Sequence, residues 1–198
     1  MSEVKTADIA KLRKLTGAGM MDCKKALTHT NGDLEKAVDY LRKKGIQAAT
    51  SKLGRKALNG KIASYIHLNG RVGVLLEINC ETDFVAKTQE FNDLAKNITL
   101  QIAAANPKYI KREDVPEDIV QKEKEIYCSQ LKNTNKPEKV IDNIVEGKLN
   151  KFLKEHCLIE QDYIRNPEID VNQLILETIS KLKENIQIKR FVRYQLGE

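Results

Sequence analysis

The residues best suited to chemistry are four cysteines and three histidines. The cysteines are Cys23, Cys80, Cys128 and Cys157, and the histidines are His29, His67 and His156. No two cysteines form a CxxC pair, and none has a zinc-type spacing to a histidine. His156 and Cys157 are adjacent, so on a helix they point to different sides and chelate poorly. Neither a metal site nor a cofactor is expected from this set. Scattered cysteines of this kind read as small buried apolar residues in a reducing compartment. Nucleotide and nucleophile signatures are missing too: there is no GxxxxGK(S/T), no GxGxxG after a strand, no GxSxG and no HExxH. Gly17-Ala18-Gly19 followed by Lys24 and Lys25 resembles a phosphate loop only superficially, because glycine and lysine are not adjacent.

Two segments still carry unusual chemistry. The first is Leu15-Thr-Gly-Ala-Gly-Met-Met-Asp-Cys-Lys-Lys-Ala-Leu27. Met20 and Met21 sit at a loop-to-helix corner, where deformable side chains fit a partner surface well. By residue type alone they are expected to close a helical core instead. Adjacent helical positions face about 100° apart, however, so both cannot be fully buried. The second is Thr82-Asp83-Phe84-Val85, after a strand and before a helix. Its ordinary reading is Thr82 or Asp83 as an N-cap with Phe84 packed on the sheet. Its functional reading is one charge beside one apolar wedge at an element end.

The elements that position these segments follow from periodicity. Val4, Ile9, Leu12 and Leu15 fall near one helical face, and Gly17 and Gly19 break that helix. A short helical piece from Asp22 to Leu27 follows. Asp33 can cap a third helix carrying Leu34, Ala37, Val38 and Leu41, which Gly45 weakens or ends. Ile62–Leu68 and Val72–Cys80 flank Asn69-Gly70, a type I′ hairpin signal. Val72, Val74, Leu76, Ile78 and Cys80 alternate on one face. The next helix carries Phe91, Leu94, Ala95, Ile98 and Ile102 and stops at Asn106-Pro107. Further helices are expected over 117–132, after Pro137 and over 171–184, the last burying Leu174, Ile175, Thr178, Ile179 and Leu182. Residues 186–196 read as a closing third strand. The economical fold is α+β, an antiparallel core covered by helices.

Composition sets the frame. The chain has 198 residues, 41% of them apolar, with a net charge of +6, which excludes a disordered or collagen-like polymer. The N-terminal Met1-Ser2-Glu3-Val4-Lys5 has no apolar core and is no signal peptide, and no apolar run is long enough to span a membrane. A cytoplasmic location is expected. No Asp or Glu occurs from Arg42 to Leu76, a stretch holding Lys43, Lys44, Lys52, Arg55, Lys56 and Lys61. Aromatics are not interleaved with these charges, so a solvated linker is expected and direct nucleic-acid binding is not.

The two segments resemble signatures of the bacterial elongation factor Ts family. Leu15–Leu27 is similar to its N-terminal signature, and Glu77-Ile-Asn-Cys-Glu-Thr-Asp-Phe-Val-Ala-Lys87 to its second. The likeness continues through Phe91, Glu155-His-Cys-Leu-Ile-Glu-Gln161 and Arg190-Phe-Val-Arg-Tyr-Gln-Leu-Gly-Glu198. It implies a ubiquitin-associated-like three-helix bundle over 1–47, a basic linker over 48–60 and an α+β core over 61–198, with the hairpin at 61–80 and the closing strand at 186–196.

It also implies a guanine nucleotide exchange factor in translation elongation, not an enzyme. The partner would be elongation factor Tu, GDP-bound and nucleotide-free. By position, Arg13, Met20 and Met21 match residues on the GTPase domain of that partner, and Lys24 and Lys52 match further basic positions. Asp83 and Phe84, flanked by Thr82 and Val85, match a wedge that disturbs the partner's Mg²⁺ and phosphate site, releasing GDP and admitting GTP. Longer relatives carry a duplicated core and an inserted helical hairpin. One signature β-hairpin occurs here, which implies a short form that pairs as a homodimer through the core sheet. The closing strand has no cysteine to tie such a dimer. The alternative is an adaptor that uses the helical bundle to bind proteins without acting on nucleotide.

Overall fold

A computed structural model describes residues 4–67, 69–131 and 137–198. The expectations placed on Met1–Glu3, Leu68 and Lys132 lie outside the described residues. The chain forms two compact units. One gathers the chain through Lys61 with Ile78–Leu94 and Gln173–Gln187; the other holds Ile62–Glu77, Ala95–Asn172 and Ile188–Glu198.

The first unit begins with α1 (Thr6–Thr16), α2 (Met20–His29) and α3 (Leu34–Thr50). Gly17 ends α1 in the left-handed region at φ 68°, where its N–H donates to the Arg13 carbonyl. Asp33 caps α3 by accepting the Lys36 N–H at 3.1 Å. Ile9, Leu12, Cys23, Ala26, Leu27, Ala37 and Leu41 form the buried core of this bundle. Each fully buried Leu or Ile contributes about 1.5–3 kcal/mol. Two expectations change. Leu15 is 65% exposed and leaves the apolar face assigned to it. The second helix starts at Met20, two residues before Asp22.

Gly45 does not end α3. The helix runs through it to Thr50, because Gly45 serves close approach to α8 (Val171–Leu182). A Cβ at Gly45 would collide with Ser180 Oγ. One turn earlier, Arg42 Nε donates to Glu177 Oε1 at 2.7 Å. In α8, Ile175, Thr178 and Ile179 are buried as expected, whereas Leu174 and Leu182 are only half-buried.

The main sheet has the order β1-β2-β5, with β1 Asn59–His67, β2 Val72–Cys80 and β5 Ile186–Gln195. Asn69 and Gly70 turn the hairpin with φ of 53° and 90°, the positive pair that a type I′ turn needs. Arg190 pairs with Glu77, and the Leu196 N–H donates to the Arg71 carbonyl, so β5 runs antiparallel to β2. Val72, Val74, Leu76, Ile78 and Cys80 are all buried, as the alternation predicts. The single-turn α4 (Asp83–Ala86) and α5 (Gln89–Ala105) follow β2. Phe91, Leu94, Ala95, Ile98 and Ile102 form the dry face of α5.

The second unit also holds α6 (Glu117–Leu131) and α7 (Glu138–His156). They pack on each other, and of the described α6 residues Leu131 is the buried one, so this Lys- and Glu-rich helix is largely exposed. Val115, Leu149, Leu153 and Cys157 are buried between Tyr109, Ile119, Val120 and Phe152. A small antiparallel pair, β3 (Asp162–Tyr163) and β4 (Asn166–Asp170), precedes α8. Among the described residues no helix is long and apolar enough to cross a membrane.

If Gly45 is a close-approach residue, Gly45→Val should lower stability by about 1–3 kcal/mol through overpacking. Gly45→Ala should cost less, since the Ser180 hydroxyl can rotate away and alanine gains about 1 kcal/mol of helix propensity. Urea unfolding of the two variants checks this.

Candidate functional site

The first unit places both unusual segments on its surface. Met20 and Met21 are 53% and 66% exposed, so they do not close the bundle core. Gly19 precedes them in extended conformation as the residue before α2. With Leu15 they put three exposed apolar side chains around one loop-to-helix corner. Arg13 and Lys24 are exposed on α1 and α2, and Lys52 is half-buried beyond α3. Among the described residues, none of these three side chains makes a hydrogen bond or ion pair. Among the described residues no hydrogen bond or ion pair joins the Lys52 side chain to the second segment.

The second segment is a rigid corner with an apolar tip. Thr82 is the N-cap of α4, its Oγ1 accepting the Val85 N–H at 3.4 Å. Val85 is buried and roots the turn. Phe84 is 78% exposed, so it is not packed on the sheet as its ordinary reading required. Asp83 accepts from Lys87 Nζ at 2.7 Å, and the same ammonium stands 5.9 Å from the centre of the Phe84 ring. That hydrogen bond from Lys87, followed by its charge, holds the Asp83 carboxyl below the ordinary aspartate value. Asp83 is therefore ionised at neutral pH.

A polar lattice that sequence reasoning missed holds the corner. Thr82 donates twice to Glu184, from Oγ1 to Oε1 at 2.7 Å and from its backbone N–H to Oε2 at 3.0 Å. In return, Asn185 donates its backbone N–H to Glu81 Oε1 at 2.7 Å. The Asn185 amide donates to the carbonyls of Leu53 at 3.2 Å and Arg55 at 2.6 Å. Asn59 Nδ2 donates to the Glu81 carbonyl at 2.7 Å. Cys80 lies beneath, its Sγ donating to the Thr82 carbonyl at 3.1 Å. Burial first, and then the Glu184 charge, push its thiol up to about 11, so Cys80 packs rather than reacts.

The turn after α8 is set by an unusual backbone conformation. Lys183 adopts φ 64°, uncommon for a non-glycine residue, and its N–H closes α8 on the Ile179 carbonyl at 2.8 Å. Asp22, beside Met21, accepts from Lys44 Nζ at 3.0 Å. That hydrogen bond chiefly, with the charges of Lys44, Lys25 and Lys183, lowers its carboxyl pKa. The basic run is therefore no mere solvated linker: Arg42, Lys44 and Arg55 pair with Glu177, Asp22 and Glu81. Among the described residues no three His, Cys, Asp or Glu side chains are placed to hold a metal ion.

Comparison with known proteins gives a consistent result. A family model described as Elongation factor TS matches residues 5–198. A protein named elongation factor Ts from a Thermoanaerobacter species is 60% identical over 190 residues, covering 96% of this chain and 93% of the relative. Its namesake from Caldanaerobacter subterraneus is 59% identical over 190 residues, covering 96% and 95%. The Geobacter sulfurreducens protein of that name is 53% identical over 195 residues, covering 98% and 90%.

The Lys87 bond makes one titration testable. Lys87→Met removes the first cause of the lowered Asp83 value, so the Asp83 carboxyl should titrate higher, near an ordinary aspartate. Side-chain carboxyl NMR against pH reads the change, and an unmoved titration would show that Lys87 does not set it.

Proposed function

This chain belongs to the elongation factor Ts family and is a translation elongation factor, and on that premise we propose that it is the guanine nucleotide exchange factor of elongation factor Tu. One observation carries the reading: an exposed phenylalanine stands beside an ionised aspartate on a corner tied down on every other side.

A translational GTPase holds GDP through Mg²⁺ and backbone groups around the phosphates. Phe84 acts as a wedge between packed elements near that site, and the Asp83 charge perturbs the field that holds the ion. The Leu15, Met20 and Met21 corner, with Arg13, Lys24 and Lys52 around it, supplies binding surface on the GTPase domain. Exchange follows if the factor binds the nucleotide-free partner more tightly than the GDP form, as linkage demands. Each ~1.4 kcal/mol of that difference weakens GDP tenfold. No bond is made or broken, so the protein is not an enzyme, and it works in the cytoplasm.

A second copy of this chain is the further partner in this reading. The register puts Ile62, Ile66, Leu75, Val192 and Tyr194 on one face of the sheet, opposite the buried face, and all five are exposed. The Arg190–Glu77 ion pair lies on the same face. A flat apolar patch of this kind is unusual on a monomer and suits an isologous contact.

In stopped-flow release of labelled GDP from elongation factor Tu, replacing Asp83 and Phe84 by Ala should remove most of the acceleration while circular dichroism stays unchanged. Release at the wild-type rate would sink the wedge. Ile66→Lys should convert a sedimenting dimer to monomer. A wild-type chain that sediments as a monomer at all concentrations would sink the dimer.

A further inference from the structure

Phe84 is exposed, so beyond the rooting of its turn by Val85 its position comes from the polar groups behind it. Those groups converge on one side chain. Glu184 takes both donors of Thr82, the residue that caps the helical turn carrying Asp83 and Phe84. It stands one residue after Lys183, whose left-handed backbone turns the chain out of α8. Non-glycine residues kept in that region concentrate where the surrounding structure needs a particular geometry. The same turn delivers the Asn185 N–H to Glu81, so residues 81–82 and 184–185 exchange carboxylate–backbone bonds in both directions. Behind this turn, α8 meets α3 through Gly45–Ser180 and Arg42–Glu177. From α3, Lys44 in turn donates to Asp22, next to Met21, at 3.0 Å.

We propose that Glu184 is a positioning residue for the exchange activity, a carboxylate that fixes the Asp83–Phe84 corner and registers it against the methionine corner. This rests on the exchange reading above and adds to it a residue that lies outside both signature segments. A glutamate here does what no neutral side chain can. It accepts two charge-assisted bonds from one residue at once, which sets direction as well as distance. Without it the Thr82 N–H and hydroxyl turn to water, the cap loosens and Phe84 samples many orientations. An insertion step is sensitive to that loss, because misplacing a wedge removes differential binding without removing the wedge.

The decisive experiment is a double-mutant cycle on GDP release. Glu184→Ala should slow stimulated release about tenfold in the wild-type background and less than about twofold in Phe84→Ala, because interacting sites are not additive. Glu184→Gln, which keeps one acceptor, should fall between. Equal losses in both backgrounds would show a general structural role and overturn the proposal, as would no loss in either. A second readout does not depend on exchange. The chain has no tryptophan, so Phe84→Trp is a unique fluorescent reporter at the tip. Adding Glu184→Ala should lower its anisotropy and raise its quenching by acrylamide, and unchanged values would overturn the proposal. If the wild-type chain fails to speed GDP release, the exchange reading falls, while the tryptophan measurement still decides whether Glu184 fixes the corner.

Discussion

Two carboxylates, Glu81 and Glu184, each accept a backbone N–H from the other's neighbour. This exchange crosses about a hundred residues of chain and is the constraint on which the rest of the first unit depends. Phe84 forgoes about 1.5–3 kcal/mol of burial by facing solvent. An apolar side chain left free at the end of a strand would fold back against any available surface. What prevents this must be directional, and hydrogen bonds to charged acceptors, at about 1.5–3 kcal/mol each, have the required size and geometry. The buried Val85 then needs only to root the turn.

The same logic explains the run without acidic residues. Viewed along the sequence it is a block of uncompensated positive charge. In the folded chain, Asp22, Glu81 and Glu177 reach it from three different elements. These pairs are partly exposed and each is worth little by itself. Their use is in alignment: with Gly45 allowing close approach, Arg42–Glu177 ties α8 to α3, and α8 ends just before Lys183 and Glu184. The basic run thereby becomes part of the frame that holds the corner, which leaves Lys43, Lys52, Lys56, Lys61 and Arg71 as its cations without an ion pair among the described residues.

Legibility follows the range of the physics. The Asp33 cap, the left-handed Gly17, the Asn69-Gly70 turn and the alternation of β2 depend on residues within a few positions, and each can be read directly. The Thr82 cap is equally local, and the ordinary reading of that segment offers Thr82 or Asp83 for it. Whether Phe84 packs or projects is a different question, decided by Glu184, which lies 102 residues from the Thr82 it binds. No local pattern carries that information. Gly45 misleads for the same reason: glycine weakens a helix by itself, but here a partner helix needs the missing Cβ. Leu15 and the two methionines are apolar by type, and only the finished core, filled by Ile9, Leu12 and Leu27, shows that no room remains for them.

The two kinds of exposed apolar surface differ in what they can do. In the second unit, Ile62, Ile66, Leu75, Val192 and Tyr194 lie on strands whose hydrogen bonds hold them in one plane. Such a face gains by being covered all at once, and an identical face covers it without new chemistry. In the first unit, Phe84 stands alone on a single helical turn, and Leu15, Met20 and Met21 cluster at a corner between two helices. A lone projecting ring gains little from a flat partner, because most of its surface would stay wet. It gains fully only inside a cleft, and entering a cleft requires that the walls move apart. A rigid projecting ring with an adjacent negative charge is therefore matched to a partner whose own packing it must disturb, which is the physical content of accelerating nucleotide release.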